Sequence, residues 1–191
     1  MNFKQLLYLC GPIFAFVKKN TEYIIPYEGL KQGKHSFSFE ITDKFFDSFK
    51  TEHDFHDVLI QLEVDLMKDI TMLIFDFKHE GIARVTCHRC LVEISQHIKA
   101  NNKLIVKFGD RIEDDNDSII TLPQAEYEID LSPFIYEYIC LSFPWKFDCS
   151  AMKENDKPCD EEVLEKIAKL QVKNNNIEGD PRWETLKKLK K

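Results

Sequence analysis

From Tyr23 to Phe108 hydrophobic side chains recur at about every second position. That is the period of a strand with one face on a core and the other in water. Phe37, Phe39 and Ile41 alternate with Ser36, Ser38 and Glu40. Val58, Ile60, Leu62, Val64 and Leu66 alternate with Asp57, Gln61, Glu63 and Asp65, and only Leu59 breaks the pattern. After a polar break at Lys68-Asp69, Leu73, Phe75 and Phe77 make a further run. Glu80-Gly81 reads as a turn, followed by Ala83, Val85 and Cys87 against Arg84 and Thr86. Ile94 and Ile98 mark another strand, Asn101-Asn102 a turn, and Leu104, Val106 and Phe108 the next strand. Short breaks between successive strands favour antiparallel neighbours, so the expected sheet is a meander or a small barrel. Thr42-Asp43 is placed to start a short helix through Phe49.

The period changes after Leu131. Ser132-Pro133 reads as an N-cap followed by proline at the first helical position. The helix Pro133–Phe143 carries Phe134, Ile135, Tyr138, Ile139 and Leu141, apolar over most of its circumference, which predicts burial; Pro144 ends it. A second helix over 160–172 has Val163, Leu164, Ile167 and Leu170 on one face. Asn174-Asn175-Asn176 and Gly179 form a linker to a short closing helix bearing Trp183, Leu186 and Leu189. The expected class is therefore α+β: an antiparallel sheet, open or barrel-like, over residues 22–108, closed by a buried helix and followed by a helical appendage. Three parts follow: an extension at 1–20, an α+β core domain at 21–145, and a Cys-containing loop, helix and basic amphipathic tail at 146–191. The most membrane-like run, Leu6–Val17, has 12 residues, against about 20 for a span. No small-x-small cleavage site follows it. It reads as an N-terminal extension, or as the product of a start codon set too far upstream, ahead of a domain beginning near Glu22.

A chain of 191 residues, 43% hydrophobic and 31% charged, has the size and composition to fold on its own core. Its net charge of −7 argues against a protein that coats nucleic acid. The charge is unevenly spread: +3 over 1–20, −6 over 21–86, +3 over 87–112, −11 over 113–162 and +4 over 163–191. Contact with a polyanion through one face therefore stays open. Arg84, Lys103 and Lys107, with Arg89 close by, could meet phosphates if they share a sheet face, and Phe or Tyr beside them could stack on unpaired bases. The alternative is a solvated face balanced by nearby acids. Lys187 and Lys188 with Trp183, beside Arg182, belong to a basic amphipathic tail suited to docking on a ribonucleoprotein, or to packing on its own domain.

The strongest local signal is Cys87-His88-Arg89-Cys90. Two thiols three residues apart on a turn can chelate one tetrahedral ion, and thiolates suit zinc. A closed site needs four ligands, and Cys149 with Cys159 is the candidate second pair; His88 or His97 could replace a missing ligand. Plain reduced cysteines and a redox CxxC are the alternatives, the latter requiring a strand-to-helix context. Cys10 and Cys140 read as small packing residues, and His53 and His56 as part of a solvated acidic turn. Six cysteines in a chain this size do not make a disulfide scaffold, so a reducing, cytosolic compartment is expected. There is no G-x-S-x-G, P-loop or G-x-G-x-x-G. Glu126, Glu128 and Asp130 read as the wet face of a strand, so no constellation supports an enzyme.

Three stretches in order resemble the YceD family, named for large ribosomal RNA subunit accumulation. Val85–Leu91 is similar to its C-x-R-C-L signature. Glu128–Glu137, running on to Leu141 and Pro144-Trp145-Lys146, is similar to its acidic strand, buried helix and Pro-x-Lys end. Asp180–Leu189 resembles the closing motif of members from Bacteroidota. The resemblance covers about residues 22–190. It implies a non-enzymatic cytoplasmic factor for 23S rRNA accumulation and large-subunit assembly. Its partner would be the precursor large subunit, through rRNA or a ribosomal protein, with neither DNA nor membrane involved. A zinc-stabilised protein-interaction module without RNA contact and a thiol-disulfide protein are the rival readings.

Overall fold

The computed structural model describes residues 21–49, 51–109, 119–123, 125–149 and 159–171. β1 (Ile24–Ile25) opens this part of the chain, and four long strands follow: β2 (Gly33–Thr42), β3 (Phe55–Lys68), β4 (Met72–Thr86) and β5 (Glu93–Phe108). These four make an antiparallel meander. β6 (Ile119–Leu122) then adds to the free edge of β5 in parallel. The strand order is β2-β3-β4-β5-β6, with β2 and β6 at opposite edges, so the sheet is open and the barrel alternative is corrected. β1 pairs instead with β7 (Ile129–Asp130) in a separate two-stranded ribbon.

Two turns expected from sequence are not turns. Glu80-Gly81 lies inside β4, opposite Gln61 and Ile60, and Asn101-Asn102 lies inside β5, opposite Lys78 and Phe77. In both strands the two-residue alternation passes through these residues without a change of phase. Phe77, His79, Ala83 and Val85 face inward on one strand, and Ile98 and Leu104 on the next. Glycine and asparagine are turn residues only when the pattern around them also breaks. Leu59 keeps phase as well: it lies on the outer face, half exposed, across from Ile82.

Among the described residues three α-helices accompany the sheet: α1 (Asp43–Asp47), α2 (Ser132–Ser142) and α3 (Glu161–Leu170). α1 begins after Thr42 as expected, but its anchor is Asp43, whose carboxylate accepts the Val58 N–H at 3.2 Å. At α2 the N-terminal oxygen comes from Asp130 rather than Ser132: Asp130 Oδ1 accepts the Ser132 N–H at 2.9 Å, and Ser132 is already helical. α2 buries Ile135, Tyr138 and Ile139 against the sheet, whereas Leu141 points to solvent, because a helix lying on an open sheet buries one stripe only. α3, expected over 160–172, is capped by Asp160, whose Oδ1 accepts from the Glu162 and Val163 N–H groups at 2.9 and 3.3 Å. The main core lies between the inner sheet face and α1, α2 and the segment around β1, and is rich in rings: Tyr23, Phe45, Phe46, Phe75 and Phe77. The predicted closing helix around Trp183 lies outside the described residues.

One polar side chain interrupts that core. His79, 2% exposed, sits between Leu62 on β3 and Ala100 on β5, and neither ring nitrogen has a protein partner. Burial holds its pKa below the usual imidazole range, so the folded protein keeps it neutral. As pH falls below about 6.5 the unfolded chain takes up a proton that the folded chain refuses, and stability drops by at most about 1.4 kcal/mol per pH unit. His79→Leu is expected to flatten that part of the profile. Urea melts of both proteins at pH 7.5 and 5.5 check it, and an unchanged difference between the two pH values would contradict it.

Candidate metal centre

β4 ends at Thr86, and the chain turns through Cys87–Val92 before β5 begins. The Cys87 N–H donates to the Val92 carbonyl and the Leu91 N–H to the Cys87 carbonyl, each at 2.9 Å. The Arg89 N–H donates to the Cys87 sulfur at 3.5 Å. This hairpin-end knuckle aims Cys87 and Cys90 the same way and closes through Leu91, which takes a left-handed conformation at φ 62°. Leucine in that region costs about 1 kcal/mol relative to glycine. Leu91 is 74% exposed and packs little, so Leu91→Gly is expected to stabilise by up to about 1 kcal/mol, read from urea melts. A destabilised variant would show that its side chain is anchored.

The second pair arrives from the other end of the chain. After α2 the backbone extends through Phe143 and Pro144, and the Phe147 carbonyl accepts the His88 N–H at 2.9 Å, which pins this segment to the knuckle. Cys149 follows it, and Cys159 stands just before the Asp160 cap of α3. The structure thus brings together all four predicted ligands: the sulfurs of Cys87, Cys90, Cys149 and Cys159 lie within 4.8 Å of one another, all buried. Cys90 and Cys149 stand 3.4 Å apart, far beyond a disulfide bond. Four thiolates about 2.3 Å from one tetrahedral ion stand about 3.8 Å apart, so the quartet fits a metal after small shifts. His88 is exposed and His97 lies opposite Ile82 on the outer face, so neither is needed as a ligand.

The thiols are also poised unequally. Burial pushes Cys87 up, but the backbone donors of Cys90, Arg89 and Cys149, with the Cys149 thiol, outweigh it and bring Cys87 down to about 6. Burial, then its contacts with the other three thiols, pushes Cys149 up, and burial likewise raises Cys159. Cys87 is thus poised as a thiolate beside two raised thiols, Cys149 and Cys159. A divalent ion is the group that lets the remaining members ionise. Around them lies a second hydrophobic cluster of Val85, Ile94 and Phe147, against which Phe55, Phe143, Val163 and Leu164 pack. A strand rather than a helix follows the CxxC, and its sulfurs are buried, which is poor geometry for thiol-disulfide exchange.

The other predicted site residues are distributed differently. Arg84, Lys103 and Lys107 do share the outer sheet face, as the alternation requires. That face is a ladder of opposite charges: Arg84 pairs with Asp57 at 3.4 Å and Glu93 at 3.7 Å, Lys103 with Asp76 at 3.3 Å, and Lys78 with Asp65 at 3.2 Å. No Phe, Tyr or Trp stands on that face among the described residues; the strand aromatics all face inward. Arg89 is exposed on the knuckle, and Arg182, Trp183, Lys187 and Lys188 lie outside the described residues. His53, expected in a solvated turn, instead stacks on Phe55 at 4.8 Å, and His56 meets Glu93 at 3.2 Å. Sequence reasoning passed over Trp145, which is 99% exposed and lines a cavity beside the knuckle. The one available signal was a tryptophan placed between Pro144 and Lys146 after a helix stop. Among the described residues no helix is long and apolar enough to cross a membrane.

Fold and site together define an α+β domain with an open, mostly antiparallel sheet, whose far end carries a four-cysteine centre able to hold a metal. The family described as large ribosomal RNA subunit accumulation protein YceD matches residues 75–190. The chain belongs to this family. It is also 27% identical over 163 residues to YlbN of Bacillus subtilis (strain 168), a match covering 83% of this chain and 90% of that protein. No solved structure matches.

Proposed function

We propose that the protein is a non-enzymatic cytoplasmic factor for 23S rRNA accumulation, acting on a precursor of the large ribosomal subunit, with zinc in the cysteine quartet. Family membership carries the reading: the matched span, 75–190, contains all four cysteines, the buried helix and the basic tail. Zinc is favoured by four buried thiolate donors in a closed site whose role is to hold chain segments together. The outer sheet face is a poor platform for phosphates, because Lys78, Arg84 and Lys103 already face acids, which leaves Lys107 as a cation without such a neighbour among the described residues of that face. We therefore assign rRNA contact to Arg89 and to Arg182, Trp183, Lys187 and Lys188, and leave the acidic body for protein contact.

Sucrose-gradient fractionation of cells carrying a tagged copy tests the reading. Co-sedimentation with precursor large subunits, and lower 23S rRNA on depletion, are expected. Absence of both would overturn it. The rival module without RNA contact draws support from the ion-paired sheet face. It predicts binding to particles that hardly changes with salt, whereas each phosphate contact adds about 0.7 to 0.9 to the logarithmic salt slope.

A further inference from the structure

A cavity of about 460 Å³ lies beside the metal centre, between the segment before β3 and the segment after α2. Its inner wall is a continuous run of rings. His53 stacks on Phe55 at 4.8 Å, Phe55 on Phe143 at 4.6 Å, Phe143 meets Phe147 edge-on at 6.2 Å, and Phe147 meets His88 at 5.0 Å. Trp145 stands at the rim, and among the described residues it packs on no other ring. Its neighbours explain why the indole is held outward. Phe143 and Phe147, two residues away on either side, are packed into the second cluster, and the His88–Phe147 hydrogen bond fixes the backbone at Phe147. Extended backbone would put Phe143, Trp145 and Phe147 on one face; instead the chain bends at Phe143 and again at Trp145-Lys146, which turns the indole out to solvent.

A large, rigidly presented aromatic that folding leaves wholly uncovered marks a contact surface, and tryptophan is enriched among residues that dominate interfaces. The charge around it selects the occupant. The cavity lining holds two carboxylates, Glu52 and Asp54, both exposed, and no Lys or Arg among the described residues. Burial keeps the His53 imidazole below its usual range despite Asp47 and Asp54, so it adds no cation at neutral pH. A phosphate backbone would meet two negative charges here. A guanidinium or ammonium would meet an indole face and two carboxylates, the arrangement that favours a cation–π contact with a charge-assisted partner.

We infer that the Trp145 cavity captures an Arg or Lys side chain from a basic protein segment of the precursor particle. The inference rests on the proposed role in large-subunit assembly and names the surface used there. Trp145 would cover the cationic group, Glu52 and Asp54 would neutralise it, and the ring wall would hold the aliphatic stem. The knuckle sits behind this wall, so the metal centre gains a purpose beyond stability: it fixes Phe147 and therefore the indole.

The test uses the full zinc-loaded chain and a fluorescein-labelled Arg-Gly-repeat peptide, followed by anisotropy. A peptide of the same length with Gln for Arg, and a single-stranded RNA oligonucleotide, serve as comparison probes. Because Trp145 is wholly exposed, Trp145→Ala should fold like the wild type. It is expected to weaken binding of the Arg peptide about tenfold and to leave the RNA probe unchanged. Glu52→Gln with Asp54→Asn should weaken it comparably and flatten its salt dependence. Arg-peptide binding that is unaffected by Trp145→Ala overturns the inference, as does RNA binding that falls while peptide binding does not. The gradient experiment separates the two levels. Wild type that sediments with precursor particles while Trp145→Ala does so equally refutes this surface and leaves the proposed function standing. Wild type that never sediments with them, yet binds the peptide through Trp145, refutes the proposed function and leaves the cavity's chemistry in place.

Discussion

Cys149→Ser is expected to cut bound zinc from about one equivalent to less than half and to release α3 while the five-stranded sheet stays folded. The serine hydroxyl is a poor zinc ligand, and a structural site needs four donors. In small zinc domains metal binding supplies about 10–16 kcal/mol of folding free energy. Here the effect is local, because the main core of Phe75, Phe77, Ile60, Leu62 and α2 contains none of the four ligands. The second cluster has no such independence. It is built from Val85, Ile94, Phe147 and the cysteines themselves, and α3 contributes no fully buried residue to it. What holds α3 is Cys159 at its start and the partly covered Val163 and Leu164. Hydrogen exchange should therefore lose protection over 161–170 and around the knuckle, and keep it in β2–β5. Cys140→Ser is the matched control, since Cys140 lies outside the quartet on α2 and should leave zinc at one equivalent. Metal analysis of protein purified without chelator reads both variants. A full equivalent in Cys149→Ser, or none in the wild type, would remove the four-cysteine site.

The quartet was legible in the sequence because its signal is chemical: thiol pairs are scarce, and a CxxC needs a second pair wherever the fold brings one. The long strands were legible too, since Val58 to Leu66 and Leu73 to Phe77 repeat with a period that only a half-buried strand satisfies. The strand boundaries were harder to read. Gly81 and Asn102 carry the local chemistry of turns, and only the phase of the residues around them tells otherwise. The parallel addition of β6 could not be read at all, because four residues, Ile119–Leu122, give no period that fixes a partner or a direction. The shared outer face of Arg84, Lys103 and Lys107 followed from alternation alone. The neutralisation of Arg84 by Asp57 and Glu93, and of Lys103 by Asp76, did not, since it depends on cross-strand register. Trp145 was missed for a related reason. An apolar side chain predicts burial on average, and the exposure of Trp145 follows from the bends in the chain between the anchored Phe143 and Phe147, which is a tertiary fact.

Gly81→Ala is expected to destabilise the protein by more than about 3 kcal/mol, the range reached when a side chain is forced against backbone. A Cβ at residue 81 would stand 2.3 Å from the Leu59 carbonyl oxygen, 2.5 Å from Ile60 Cα and 2.9 Å from Ile60 Cγ1. The first two are backbone atoms of the adjacent strand and cannot rotate away. The close approach has a local cause: the β3–β4 register shifts between His56 and Leu59, and Asp57 takes a left-handed φ of 49° there, so β3 bends toward β4 over residue 81. Relief would require that bend to open, which moves Phe55, a ring packed against both hydrophobic clusters and stacked on Phe143. The damage should therefore reach the wall of the Trp145 cavity as well as the main core. For a protein of this size a loss of that magnitude lowers Tm by roughly 10 °C. Gly29→Ala provides the comparison, since a Cβ there meets nothing within 4 Å and should be neutral or slightly stabilising. Urea melts of the zinc-loaded proteins measure both. If Gly81→Ala melts within about 1 kcal/mol of the wild type, β3 does not cross residue 81 as described. The sheet would then lack the bend that joins its core to the cysteine centre.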